Sequence, residues 1–262
     1  MAHRRRLLLV TILSLAALLG VIAYAYWRAQ SNPNTLWTVV QSCVAQEQAG
    51  GLLTGSCVAV DRRDRVAILR SIEGREQFLL VPTDRVTGIE DPHILDPSAP
   101  NYWALAWAAA DRYLPPLVTK DRTRIGLAIN SQFGRSQNQL HIHISCIRPS
   151  AARILDERQH DIGTTWSAPV ITLGGHGYRA LRIEGRDLAG ANPFRLLTRV
   201  PDASQHMGAH TLVLVGASWD HGKQSGYYLL DDVAHDGGDE VDRGHGEALL
   251  DEDCSGEGTS GD

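Results

Sequence analysis

The sequence predicts an α+β domain, an antiparallel sheet with helices packed on one side, preceded by one N-terminal transmembrane helix. Three features carry this expectation: β-like runs come in adjacent pairs, a helical pattern stands between the pairs, and an uncharged stretch follows a cluster of arginines near the N-terminus. The 262 residues are 43% hydrophobic and 21% charged with 25 Gly and 11 Pro, which suits a folded chain and excludes a disordered or collagen-like polymer. The net charge of -5 is unevenly spread, because residues 231–262 hold twelve acidic side chains and one arginine. The rest of the chain is therefore cationic, which favours anionic substrates or an anionic membrane surface over nucleic acid, for which no module is visible.

Residues 1–6 form a basic, cytoplasmic N-terminus, and residues 7–27 contain no charge. As a helix this stretch spans roughly 30 Å, one bilayer core. The arginines before it place everything after Trp27 on the far side of the membrane, with Tyr24, Tyr26 and Trp27 at the outer interface. A cleaved signal peptide is the competing reading, since Ala23-Tyr24-Ala25 is a small-x-small site. Either way the folded part is exported to an oxidising compartment. Residues 28–34 read as a linker, residues 35–230 as the folded domain and residues 231–262 as a flexible acidic end, except where Cys254 tethers it.

Four cysteines allow three pairings. Cys43 with Cys57, around Gly50, Gly51 and Gly55, is the simplest, and it leaves Cys146 for Cys254. The runs 65–71 and 77–82 read as a hairpin across Ile72-Glu73-Gly74-Arg75. Ser98 or Asn101 caps a helix over 101–114, where Trp103, Leu105, Ala106, Ala109, Ala110 and Tyr113 recur at helical spacing until Pro115-Pro116 stops it. Residues 124–130 and 138–147 form the next strand pair around a polar loop, 131–137. Further strands are expected at 178–184, 210–215 and 227–230, with a short helix at 194–200.

The run from Gln139 to Cys146 carries the chemistry. Side chains alternate along a strand, so His141, His143 and Ser145 share one face while Ile142 and Ile144 enter the other. Packing alone explains two such imidazoles poorly, because each ring needs partners for both nitrogens. Surface or structural histidines, a zinc site completed by His160, His176, His206 or His210, and a nucleophilic imidazole all remain open from the pattern itself. The loop residues His206-Met207-Gly208 are a further candidate contribution.

The stretch from Asn130 through Gln137 to His141-Ile142-His143-Ile144-Ser145 resembles the active-site hairpin of the histidine-triad superfamily of nucleotide hydrolases and transferases. Extended from Ala128 to Pro149, it is similar to the CDP-diacylglycerol pyrophosphatase family. That family also resembles this chain in the short N-terminal anchor, in Leu79-Leu80-Val81-Pro82-Thr83, in Asp96-Pro97-Ser98 with Pro100-Asn101, in Trp103 to Trp107, and in four similarly placed cysteines. The resemblance covers about residues 35–150 well and continues more loosely towards residue 230.

It implies a histidine-triad-like sheet and hydrolysis of the diphosphate of membrane-held CDP-diacylglycerol to CMP and phosphatidate. His143 is then the nucleophile that carries a cytidylyl group, His141 supports it, and Asn130 and Gln137 lie near the phosphates. Ser145 stands where many members have a third histidine, and Arg85 is a phosphate-contact candidate. Water is the second substrate; no cofactor, metal, nucleic acid or obligatory protein partner is implied. The expected location is the outer side of a bacterial-type inner membrane on a single-pass anchor. The alternatives are an exported, disulfide-stapled nucleotide or lipid binder without turnover, and a zinc-dependent hydrolase using His141 and His143.

Overall fold

The computed structural model describes residues 32–167, 171–220, 222–234 and 243–256, with Gly20 alone before them. The anchor expected at 7–27 lies outside the described residues, and no helix among those described is long and apolar enough to cross a membrane.

The strands are β1 (Cys57–Asp61), β2 (Val66–Arg70), β3 (Phe78–Pro82), β4 (Ile125–Ile129), β5 (Ile142–Ile147), β6 (Ile171–Leu173), β7 (His176–Glu184), β8 (His210–Trp219), β9 (Gln224–Val233) and β10 (Leu250–Asp251). They form one sheet in the order β1-β2-β3-β5-β4-β8-β9-β7-β6, all pairings antiparallel, with β10 added beside β5. The expected β2–β3 and β4–β5 pairs are present. Strand β5 starts later than the sequence suggests. The Gln139 amide donates to the carbonyls of Pro82 and Asp84, and Leu140 N–H bonds to Val86 O, so this stretch is tied to a loop instead of a ladder.

The helices are α1 (Thr35–Gln48), α2 (Tyr102–Tyr113), α3 (Pro116–Thr119), α4 (Pro149–Glu157) and α5 (Pro193–Leu197). Asn101 caps α2 by accepting from Ala104 N–H, and its own amide donates to Leu188 O, so one side chain both starts the helix and docks a distant loop. Helices cover both faces of the sheet, which corrects the one-sided arrangement. Trp103 of α2 and Phe194 of α5 pack with Ile68, Ile142 and Ile144 on one face. On the other, α1 sets Leu36, Val40 and Cys43 on Ala67, Leu69 and Val81, and α4 sets Ala151 and Leu155 among Val213, Val215 and Leu230. The central strands β4 and β5 are buried at every position, so both faces need cover.

Both cysteine pairs are as expected: Cys43–Cys57 joins α1 to β1, and Cys146–Cys254 joins β5 to the C-terminal segment. The flexible end expected from residue 231 is corrected for the residues described. Strand β9 runs on through Val233, and residues 243–256 form a strap. Within the strap a 3-10 turn, Gly246–Leu249, leads into β10. Strand β10 takes the edge of β5 at Cys146 and Ile147, which β3 leaves free because it pairs only as far as Ile144. Apolar Leu249 and Leu250 bury themselves at this crossing, which outweighs the solvation preference of the acidic residues around them.

Candidate active site

Antiparallel register places Leu69, Leu79, His143 and Ala128 side by side across β2, β3, β5 and β4. Residues paired across strands share a face, so His143 lies in one row with two leucines. Above this row is a cavity of about 500 Å³, roofed on one side by Leu36 and Val39 of α1 and closed on the other by the strap residues His245 and Glu247. Asn130, Gln137, His141 and His143 also line it.

The two imidazoles are neighbours, with ring centroids 4.9 Å apart at 62°. His141 Nδ1 lies 2.7 Å from Gln139 O, an arrangement in which Nδ1 carries the proton and donates to the carbonyl. Burial pushes the His141 pKa down to about 4, and the neighbouring His143 opposes a second positive charge there. His141 is thus a neutral ring at neutral pH. Because its folded pKa lies below the ordinary histidine value of about 6.5, the unfolded chain binds the proton more readily between these values. Stability is full above that range and falls as pH drops through it, by on the order of 3 kcal/mol for this group. His141→Gln is expected to flatten the fall in urea midpoint between about pH 6.5 and 4; an unchanged slope would show that the ring is not held neutral.

His143 Nε2 lies 2.8 Å from Glu247 Oε2. Asn130 grips the same residue: its Nδ2 donates to the carboxylate Oε1 at 2.8 Å, and its Oδ1 accepts from the backbone N–H of Glu247 at 3.3 Å. Burial opposes ionisation of Glu247, but the His143 ring, the nearby His245 ring and the hydrogen bond from Asn130 outweigh it and hold the carboxyl well below the usual carboxylate range. The strap reaches this position because it has glycines where it passes over β8 and the 131–137 loop. A Cβ on Gly246 would meet Thr211 Oγ1 at 2.7 Å, and Gly246 N–H donates to that hydroxyl instead. Ser131 N–H donates to Gly244 O, and Ser131 Oγ donates to Arg243 O.

Of the residues singled out in the sequence, Asn130, Gln137, His141 and His143 meet at the cavity and two do not. Ser145 is on the expected face, but the strap covers it: its hydroxyl lies 2.8 Å from Asp251 O and 3.0 Å from Glu76 O, and it does not line the cavity. It fastens the strap to β5 rather than facing a phosphate. Ser145→Ala is expected to cost roughly 1 to 2 kcal/mol in urea denaturation and to leave the rate of CMP release within about twofold; a hundredfold loss of rate with unchanged stability would restore the phosphate-contact role. Arg85 lies outside the cavity, its guanidinium 5.4 Å from the Trp37 ring and hydrogen-bonded to Asn34 Oδ1. Gln137 lines the cavity while its Oε1 accepts from Leu36 N–H, one of the unpaired donors at the start of α1, and its Nε2 donates to Asn32 O.

The zinc alternative loses its proposed third ligands. His160, His176, His206 and His210 are not at the cavity, and no group of three or more His, Cys, Asp or Glu side chains suited to a metal ion occurs among the described residues. His206-Met207-Gly208 acts at one remove, since Gly208 O accepts from Gln132 N–H and supports the 131–137 loop. Glu247 and His245 were missed from sequence because they sit in an acid-rich stretch. The signal that could have found them is Cys254, whose bond to Cys146 requires the intervening strap to cross β5.

A buried, neutral imidazole beside a second one that touches a fixed carboxylate, on the floor of a cavity, is a site equipped for hydrolysis by nucleophilic or acid–base chemistry. The model of the family described as CDH: CDP-diacylglycerol pyrophosphatase matches residues 31–257. The chain belongs to this family and is a hydrolase of phosphorus-containing anhydrides that acts on CDP-diacylglycerol.

Proposed function

We propose that the protein cleaves CDP-diacylglycerol by double displacement at the cytidine-side phosphorus, with His143 as nucleophile. His143 attacks in line, phosphatidate leaves, and water hydrolyses the cytidylyl-histidine to release CMP. The observation that carries this reading is the pairing of His141 and His143, 4.9 Å apart, on the floor of a cavity also lined by Asn130, Gln137 and Glu247. Neutral His141 adds no charge that would draw a proton away from the reaction, and Asn130 is placed to steady the carboxylate beside the nucleophile. We place the architecture in the histidine-triad-like group on the same hairpin, and residues 7–27 as an anchor that holds the cavity near lipid on the outer side of the inner membrane. A nitrogen nucleophile and a phosphate-monoester leaving group demand no metal.

Incubation of the detergent-solubilised protein with CDP-diacylglycerol, with and without a chelator, tests the reading. CMP is expected at the same rate in both, and a quench that avoids acid should yield a peptide carrying cytidylate on His143. Turnover that appears only on adding zinc, or binding without CMP, would overturn it.

A further inference from the structure

We propose that Glu247 is a catalytic carboxylate that relays the proton between His143 Nε2 and the oxygens of substrate and water. The inference rests on the double displacement above and names a group that reading does not need. Three observations carry it. Glu247 Oε2 is 2.8 Å from Nε2, the atom that would attack phosphorus. Neither ring nitrogen makes a well-directed hydrogen bond among the described residues, and Glu247 is the carboxylate in contact with Nε2, so it is the group placed to take or return a ring proton. Asn130 holds Glu247 at one carboxylate oxygen and at its backbone N–H, His245 Nδ1 approaches that same oxygen at 3.7 Å, and the Oε2 end meets the ring.

In the first half-reaction the Nε2 proton passes to Glu247 Oε2 while Nδ1 keeps its own proton, and the freed Nε2 lone pair forms the Nε2–P bond. The P–O bond to phosphatidate breaks, and Glu247 returns the proton to the departing oxygen. In the second half Glu247 takes a proton from water, the water oxygen bonds to phosphorus, the P–Nε2 bond breaks with its electrons returning to Nε2, and the proton goes back to that nitrogen. One water is consumed, and no other co-reactant is needed. The same carboxylate serves as acid and then as base, because each step is the near reverse of the other. Its basicity also follows the cycle. His143 lowers the Glu247 pKa in the resting protein, and once Nε2 carries cytidylate that contact is gone while burial, which raises the pKa, remains.

The test compares Glu247→Gln with the parent protein on two substrates, CDP-dioleoylglycerol and the p-nitrophenyl ester of CMP, whose leaving group departs without a proton. On the lipid, CMP release is expected to fall by roughly 10² to 10⁴-fold. On the ester, Glu247→Gln is expected to give a burst of about one nitrophenolate per chain, then a slow phase, with cytidylate accumulating on His143: with no carboxylate to hold a proton on Nε2 the Nδ1-protonated ring attacks directly, and only the second half lacks its base. Glu247→Ala is expected to regain part of its rate with added formate, a rescue that a purely structural role would not show. Release of CMP by Glu247→Gln within threefold of the parent, absence of the burst in a variant with unchanged circular dichroism, or no rescue by formate would each overturn the proposal. A parent protein that turns over but never yields the His143 adduct overturns the double displacement itself, a distinct result.

Discussion

His143→Gln is expected to lower CMP release from CDP-diacylglycerol by roughly 10⁴-fold or more, with the urea midpoint little changed. Removing the group that forms the covalent bond abolishes the two-step route and leaves only what the cavity contributes by binding and polarisation. Glutamine is chosen because its amide can still donate to Glu247 and does not leave that buried carboxylate unpaired. The effect should lie in kcat, since the ring meets phosphorus in the transition state and adds little to ground-state binding. The adduct should vanish with the activity. A residual rate within tenfold of the parent would mean that His143 only positions substrate, and the nucleophile would have to be sought elsewhere in the cavity.

Paired replacement Cys146→Ser with Cys254→Ser should produce the next largest loss, on stability and activity together. The bridge closes a separation of 108 residues, for which the chain-entropy model assigns about 4 to 5 kcal/mol. The bridge also pins the end of the strap that carries Glu247, so its removal frees the segment that closes one side of the cavity. Cys43→Ser with Cys57→Ser is the control: its separation of 14 residues corresponds to roughly 3 kcal/mol, and Glu247 stays where it is. Urea denaturation should rank the two pairs in that order, and CMP release should fall much further in the first. Equal loss of activity in both would show that the strap stays in place without its bond.

The elements with local signals were legible in advance. The β2–β3 hairpin, the capped helix α2 and the β4–β5 pair follow from alternation, helical spacing, a capping asparagine and two prolines, all features of a few consecutive residues. Helix α4 carries an overlooked start signal in Pro149, whereas α1 has no side-chain cap of its own. At the start of α1, Leu36 N–H donates to Gln137 Oε1, far along the chain, in place of a local cap. The one-sided layer was misjudged because Ala67 and Leu69 alternate with Val66 and Ile68, so both faces of β2 are apolar and alternation no longer says which face is covered. At the site, Ser145 was placed on the right face and given the wrong neighbour.

From sequence alone came the pairing of His141 with His143 on one side of β5, the polar loop beside them and the resemblance that joins both to a diphosphate. These depend on backbone geometry repeating every second residue, which holds wherever the strand ends up. Only the tertiary structure decided that Ser145 is roofed, that Arg85 turns away, and that Glu247 meets both His143 and an Asn130 lying 117 residues from it along the chain. Which distant segment covers a given face is settled by closing one sheet, burying Leu249 and Leu250, and joining Cys254 to Cys146, and that choice belongs to the whole chain at once.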